Sequence, residues 1–210
     1  MISRCVSIVA AALMLALSPA VSWAADAAAG QVAYAVCAAC HGQNGEGNAA
    51  LNAPKLAGQE PWYLERQLAA YNSGMRGTKP GDMFGMQMRP MANAVSSPEA
   101  VANLIAYISS LDSTPAETTV TGDATVGKAL YTVCAACHGQ AAEGLEQMGG
   151  PKLAGQNDWY LVRQIQNYKN GLRGYHPQDT FGRQMAPMVA TLADDAAINN
   201  VVAYINSLAE

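Results

Sequence analysis

Cys37-Ala38-Ala39-Cys40-His41-Gly42-Gln43 and Cys134-Ala135-Ala136-Cys137-His138-Gly139-Gln140 are the same seven residues, a constant 97 positions apart. Laid over itself with that shift, the chain needs no gaps. Pro54-Lys55-Leu56-Ala57-Gly58-Gln59 falls on Pro151 to Gln156, Trp62-Tyr63-Leu64 on Trp159-Tyr160-Leu161, and Phe84-Gly85 on Phe181-Gly182. Gln87-Met88 meets Gln184-Met185, Pro90-Met91 meets Pro187-Met188, and Ala106-Tyr107-Ile108 meets Ala203-Tyr204-Ile205. About half of the 84 aligned positions are identical. The 210-residue chain is therefore one compact unit written twice, and the element reading has to hold for both copies.

Each copy reads as short helices joined by turns. Val101, Leu104, Ile105 and Ile108 recur at helical spacing, as do Ile198, Val201, Val202 and Ile205. Ser97 ahead of Pro98 supplies a cap and a proline at the first helical position, and Asp194 caps the second copy. A middle helix starts at Pro61, carries Trp62, Leu64, Leu68 and Tyr71, and ends near Asn72-Ser73-Gly74. A first helix is predicted over Ala27–Val36, delivering the cysteines. No segment sustains strand alternation, so the predicted class is all-α, twice. Asp112 to Gly122 is polar, β-branched and without apolar periodicity, which reads as an extended linker.

Composition narrows the function classes. Half the residues are apolar and 13% are charged, which excludes wholesale disorder. Twelve Lys+Arg against sixteen Asp+Glu give a net charge of −4, with no basic surplus for nucleic acid. Arg4 followed by the apolar run Val6–Leu17, a Ser18-Pro19 break and Ser22-Trp23-Ala24 reads as an export signal cleaved after Ala24. That run, about a dozen residues interrupted only by Ser7, falls short of the ~20 that span a bilayer, and no later stretch qualifies. The predicted division is 1–24 signal peptide, 25–112 first domain, 113–122 linker and 123–210 second domain. Of five cysteines, Cys5 leaves with the signal.

The remaining four admit three chemistries. Zinc knuckles use thiolate pairs at this spacing, but the pairs lie 97 residues apart, one intact pair per copy, in an exported chain. Redox dithiols need a βαβ setting that is absent. The next residue favours the third reading. Cys-x-x-Cys-His sets two thiols one helical turn apart for thioether bonds to the vinyl groups of one haem, with the histidine aimed at iron. A unit of about 85 residues is short of core, and a large covalent apolar group relieves the shortage. His176 aligns with Lys79 in a polar loop and reads as a solvated surface group. For a sixth ligand each copy offers two shared methionines in a proline-stiffened segment, Met88-Arg89-Pro90-Met91 and Met185-Ala186-Pro187-Met188. One of each pair is expected to ligate and the other to pack nearby. Arg66, Arg76, Arg163 and Arg173 also recur, either as partners for haem propionates or as solvated charges.

Together the two Cys-Ala-Ala-Cys-His sites, the Pro-Lys-Leu-Ala-Gly-Gln blocks, the Trp-Tyr-Leu-x-Arg-Gln helix and the Gln-Met-x-Pro-Met segment resemble the class I c-type cytochromes in their di-haem, cytochrome c4-type arrangement. The resemblance implies two tandem class I domains, each a few helices around covalent haem c. It implies that Cys37 and Cys40 hold one haem and Cys134 and Cys137 the other, with His41 and His138 as proximal iron ligands. It places the methionine ligand eight residues before the start of the last-helix cap, at Met88 counting back from Ser96 and at Met185 counting back from the aligned Ala193, where the usual Ser is replaced. It gives Pro54 and Pro151 the role of presenting a carbonyl to the proximal histidine ring. The function it implies is a periplasmic carrier of single electrons. Its expected redox partners are a quinol-oxidising complex, a periplasmic dehydrogenase or a terminal oxidase. The alternative is an electron-transfer subunit of a dehydrogenase complex. A di-haem peroxidase would need one open iron, which the matching methionine segments oppose.

Overall fold

The computed structural model describes residues 24–209, so the export signal expected over 1–24 lies, Ala24 apart, outside the described residues. The first copy folds as α1 (Ala27–His41), α2 (Pro61–Asn72), α3 (Met83–Asn93) and α4 (Pro98–Ser110). The second folds as α5 (Ala124–Tyr131), α6 (Ala135–His138), a 3₁₀ turn at Glu146–Met148, α7 (Asp158–Lys169), α8 (Thr180–Val189) and α9 (Asp195–Ser207). Among the described residues the only β pairing is one isolated bridge per copy, Asn48 with Ala53 and Leu145 with Gly150. No helix among them is long and apolar enough to cross a membrane.

Each unit is organised by the crossing of its first and last helices. Gly30 sits where α1 meets α4, and a Cβ there would lie 1.9 Å from the Asn103 carbonyl oxygen. Gly127 repeats this against the Asn200 carbonyl at 1.9 Å. The same asparagines tie the helix starts, because their side-chain oxygens accept from the Asp26 and Asp123 N–H groups, each at 2.7 Å. Tyr34 packs on Tyr107 at 5.2 Å between centroids and Tyr131 on Tyr204 at 5.4 Å, closing the crossing with tilted aromatic pairs. Around it the first core gathers Leu64, Leu104, Ile105 and Ile108, and the second Leu161, Ile198, Val202 and Ile205.

Local chemistry sets the remaining helices. Asp26 and Asp123 cap α1 and α5, each through two backbone N–H donors, and Ser97 and Asp194 cap α4 and α9 as the sequence predicts. α1 continues past Val36 through both cysteines to His41, whereas the second copy interrupts the same stretch between Tyr131 and Ala135. The proline-stiffened methionine segments are helical, within α3 and α8. Asp82 and Asp179 cap α3 and α8 by accepting from Gly85 N–H at 3.0 Å and Gly182 N–H at 2.9 Å. Pro90 and Pro187 then lie late in helices that have already nucleated, at the cost of one ladder bond each.

Candidate haem sites and their relatives

The end of α1 is built to fix a histidine. His41 is 6% exposed, and its Nδ1–H donates to the Pro54 carbonyl at 2.7 Å. That bond fixes the tautomer and leaves Nε2 as the lone-pair donor. His138 is also 6% exposed and makes the same 2.7 Å bond to the Pro151 carbonyl. Burial pushes both imidazoles below their ordinary pKa, against the opposing pull of the proline carbonyls, so they stay neutral and able to bind metal.

The turn after each histidine is a fixed cradle. Gly42 and Gly139 adopt positive φ, where a side chain would collide with the Glu46 or Glu143 carboxylate. Those carboxylates accept from the Asn44 and Ala141 N–H groups at 2.8 Å, and the Tyr34 and Tyr131 hydroxyls donate to the Gly42 and Gly139 carbonyls. The histidine carbonyls in turn accept from Gly47 and Gly144 N–H at 2.8 Å. Proximal ring, turn and proline block are thus one hydrogen-bonded unit, repeated.

The four cysteines are unbridged. Burial raises the Cys37 and Cys134 thiols above their ordinary pKa. Among the described residues no cluster of three or more His, Cys, Asp or Glu side chains could hold a metal ion. One nitrogen ligand beside two unbridged thiols fits a haem, where the macrocycle supplies the equatorial donors.

The structure separates the two methionines of each pair. Met88 and Met185 are half-buried, and Met185 packs against the second core. Met91 and Met188 are 42% and 39% exposed, so they face solvent and do not fill the core beside the ligand. The four recurrent arginines also separate. Arg76 and Arg173 are buried, at 8% each, which overturns the solvated reading for them. Arg66 and Arg163 are half-buried and reach across to the other copy, Arg66 over the Phe181 ring at 4.6 Å and Arg163 over Phe84 at 4.7 Å. His176 is half-buried beside Tyr175 rather than fully solvated.

Sequence reasoning missed the contribution of each unit to its neighbour. Lys55 N–H donates to Asn157 Oδ1 at 2.7 Å while Lys152 N–H donates to Glu60 Oε2 at 2.8 Å. Gln59 Nε2 donates to the Lys152 carbonyl and Gln156 Nε2 to the Lys55 carbonyl. Part of the signal was present in the sequence, because Lys55, Gln59, Lys152 and Gln156 lie in strictly repeated blocks and a two-fold interface requires the same patch on both sides, whereas Glu60 and Asn157 sit just past those blocks and differ between the copies.

Comparison with known proteins agrees with this geometry. A family model described as "Cytochrome c" matches residues 27–112 and again 124–209. Cytochrome c4 of Azotobacter vinelandii is 33% identical over 195 residues, covering 85% of this chain and 89% of the relative. A thiosulfate dehydrogenase electron acceptor of Thiomonas intermedia is 34% identical over 178 residues, covering 79% of this chain and 78% of the relative. The crystal structure of reduced recombinant cytochrome c4 from Pseudomonas stutzeri superposes with a TM-score of 0.65 at 30% identity, covering 87% of this chain and 98% of that one. With one Cys-x-x-Cys-His motif in each of two tandem helical domains, the chain belongs to the cytochrome c family as a di-haem electron carrier of cytochrome c4 type, with two covalently bound haem c groups.

Proposed function

We propose that the chain carries single electrons in the periplasm, with Cys37 and Cys40 as thioether attachments for one haem and Cys134 and Cys137 for the other. His41 and Met88 are the axial iron ligands of the first site, and His138 and Met185 those of the second. The observation that carries this reading is the pair of buried imidazoles, each with Nδ1–H spent on a proline carbonyl at 2.7 Å. A bound haem iron supplies a one-electron ferric/ferrous couple. The chain's own residues decide how that couple behaves. Pro54 and Pro151 hold the imidazoles as neutral donors and prevent their rotation. A thioether ligand from Met88 or Met185 and an apolar surround would raise the reduction potential, because both disfavour the extra charge of the ferric state. Ligation by His41 with Met88 and by His138 with Met185 would leave the irons no place for a substrate, so the transfer they support would be outer-sphere.

Visible spectra of the dithionite-reduced protein with and without carbon monoxide test this assignment. The expected result is no change in the natural protein, and a shift of one haem's bands in Met88→Ala while Met91→Ala stays silent. The reverse pattern would give the ligand role to Met91.

The partner is proposed as a redox protein: a periplasmic dehydrogenase, a quinol-oxidising complex or a terminal oxidase. The likeness to a thiosulfate dehydrogenase electron acceptor favours a second reading, service as the electron-accepting subunit of a dehydrogenase. Affinity purification from the source membrane and periplasm separates the two. A stoichiometric larger partner supports the subunit, and a chain recovered alone supports the free carrier.

A further inference from the structure

The end of the linker, α7 and the start of α9 enclose a cavity of about 420 Å³. From α7 come Trp159, Arg163 and Gln166, whose helical spacing puts them on one face; the linker adds Thr121, and α9 adds Asn199. No residue of either Cys-x-x-Cys-His motif lines this cavity, and neither Met88 nor Met185 does. It is therefore a different place from the haem sites.

Arg163 borders the cavity with a donor left over. Its Cζ lies 4.7 Å from the centre of the Phe84 ring and 5.2 Å from that of Trp159. Its Nη1 is buried and has no hydrogen-bond partner among the described residues. Rings stack on the faces of a guanidinium, whereas its hydrogen bonds run in its plane, so stacking does not supply the missing acceptor. The equivalent group of the first copy is served, since Arg66 Nη2 donates to the Gly149 carbonyl at 2.6 Å. Two carboxylates stand on the same elements, and both are spent on other donors. Asp158 accepts from Thr119, Val120, Trp159 and Asn206, and Asp195 accepts from Gln166 Nε2 at 3.3 Å.

The duplication supplies an internal comparison. Val162, Gln166 and Asn199 line the cavity where the first copy has Glu65, Ala69 and Ala102. The second copy thus has an apolar wall in place of a carboxylate, and two amides in place of two methyl groups. Each difference favours an incoming acceptor of negative charge, because a neighbouring carboxylate repels an anion and amide N–H groups donate to it. The planar fork of a guanidinium matches a carboxylate, while Trp159 and Val162 offer surface to an apolar body. The volume falls in the range of about 300–1,000 Å³ usual for small-molecule sites.

We propose that this cavity binds a small organic carboxylate, its oxygens held by the Arg163 guanidinium with Thr121, Gln166 and Asn199 as further donors, and its apolar body against Trp159 and Val162. The site is separate from electron transfer and does not depend on which methionine binds iron.

The test is a titration of the ferrous holoprotein with benzoate at constant ionic strength, followed by nitrogen-edited NMR. Trp159 and Trp62 report on the equivalent faces of the two copies. The expected result is a saturable displacement of the Trp159 indole N–H signal while that of Trp62 stays in place. Arg163→Gln should weaken binding at least about tenfold, the effect of losing a charge-assisted hydrogen bond. Gln166→Ala combined with Asn199→Ala restores the residues of the first copy and should also weaken binding. This second variant leaves the Arg163–Phe84 contact alone, so it decides the matter should Arg163→Gln not accumulate. Sulfate is the control for charge alone, with no saturable displacement expected. Displacement without saturation, equal movement of Trp62, or unchanged affinity in either variant would overturn the site, and sulfate binding as tightly as benzoate would overturn the carboxylate assignment.

Discussion

Asp158 has no counterpart in the first copy, where Pro61 stands at the aligned place, and its surroundings show why the second copy keeps a carboxylate. It is 1% exposed and accepts from Thr119 N–H at 2.5 Å, Thr119 Oγ1 at 2.7 Å, Val120 N–H at 2.7 Å, Trp159 N–H at 2.6 Å and Asn206 Nδ2 at 3.2 Å. Burial by itself would raise its pKa, but these donors outweigh burial and hold it below the ordinary value. The carboxylate therefore latches the end of the linker onto the second domain. Because its folded pKa is depressed, its contribution is fully present above the unfolded value near ~4 and is lost as pH falls through the lower folded value. Asp158→Asn should cost about 2–3 kcal/mol at pH 7, since an amide turns an acceptor into a donor facing donors. The gap between variant and natural protein should shrink as denaturation is repeated from pH 5 down to pH 2. A gap independent of pH would show that the charge is not what holds the linker. None of this was legible in the sequence, where Asp158 and Thr119 are separated by a whole haem-attachment motif.

Among the helices, the prediction that matters most concerns the α1–α4 crossing. Replacing Gly30 by Ala sets a methyl group 1.9 Å from a backbone oxygen that cannot swing aside, so the two helices must separate. The expected loss is about 3 kcal/mol, at the upper end for overpacking. Gly171→Ala is the control, because its added Cβ meets nothing within 4 Å and only the positive φ of 65° is penalised, at roughly 1 kcal/mol. Thermal unfolding of both variants checks the order, and equal losses would mean that the crossing tolerates a wider approach. The last helix was readable in advance, since Ser97-Pro98 and Asp194 state their caps locally. Tyr34, Tyr131 and the recurrent glycines were visible as repeats but not as a crossing, which is a tertiary fact. The methionine helices were not legible from Pro90 and Pro187, because the caps that start them, Asp82 and Asp179, lie eight residues upstream of those prolines. The haem-binding motif was readable for the opposite reason: thioether attachment is a local demand that spacing alone satisfies.

At the scale of the whole molecule, the two domains meet through a self-complementary surface on which Arg66 and Arg163 stack on the other domain's Phe181 and Phe84 rings. The Lys55 ammonium belongs to this junction as well, donating to Ser113 Oγ at 2.9 Å and to the carbonyls of Thr114 and Gly155. Arg66 Nη2 donates to the Gly149 carbonyl at 2.6 Å, and Thr78 shares a 2.6 Å hydroxyl bond with Tyr175. Cation–ring contacts and buried hydrogen bonds are poorly screened, because mobile ions act over distances through solvent that these groups have left. Encounters with a redox partner, by contrast, depend on exposed charge and respond to ionic strength. The two effects therefore separate in salt. Small-angle scattering should give the same radius of gyration from low salt to about 1 M, a range over which the Debye length shrinks to roughly 3 Å, while the association rate with a charged electron donor changes steeply. An expansion of the free protein over that range would mean that exposed ion pairs, and not the Arg66–Phe181 and Arg163–Phe84 stacks, hold the domains in register.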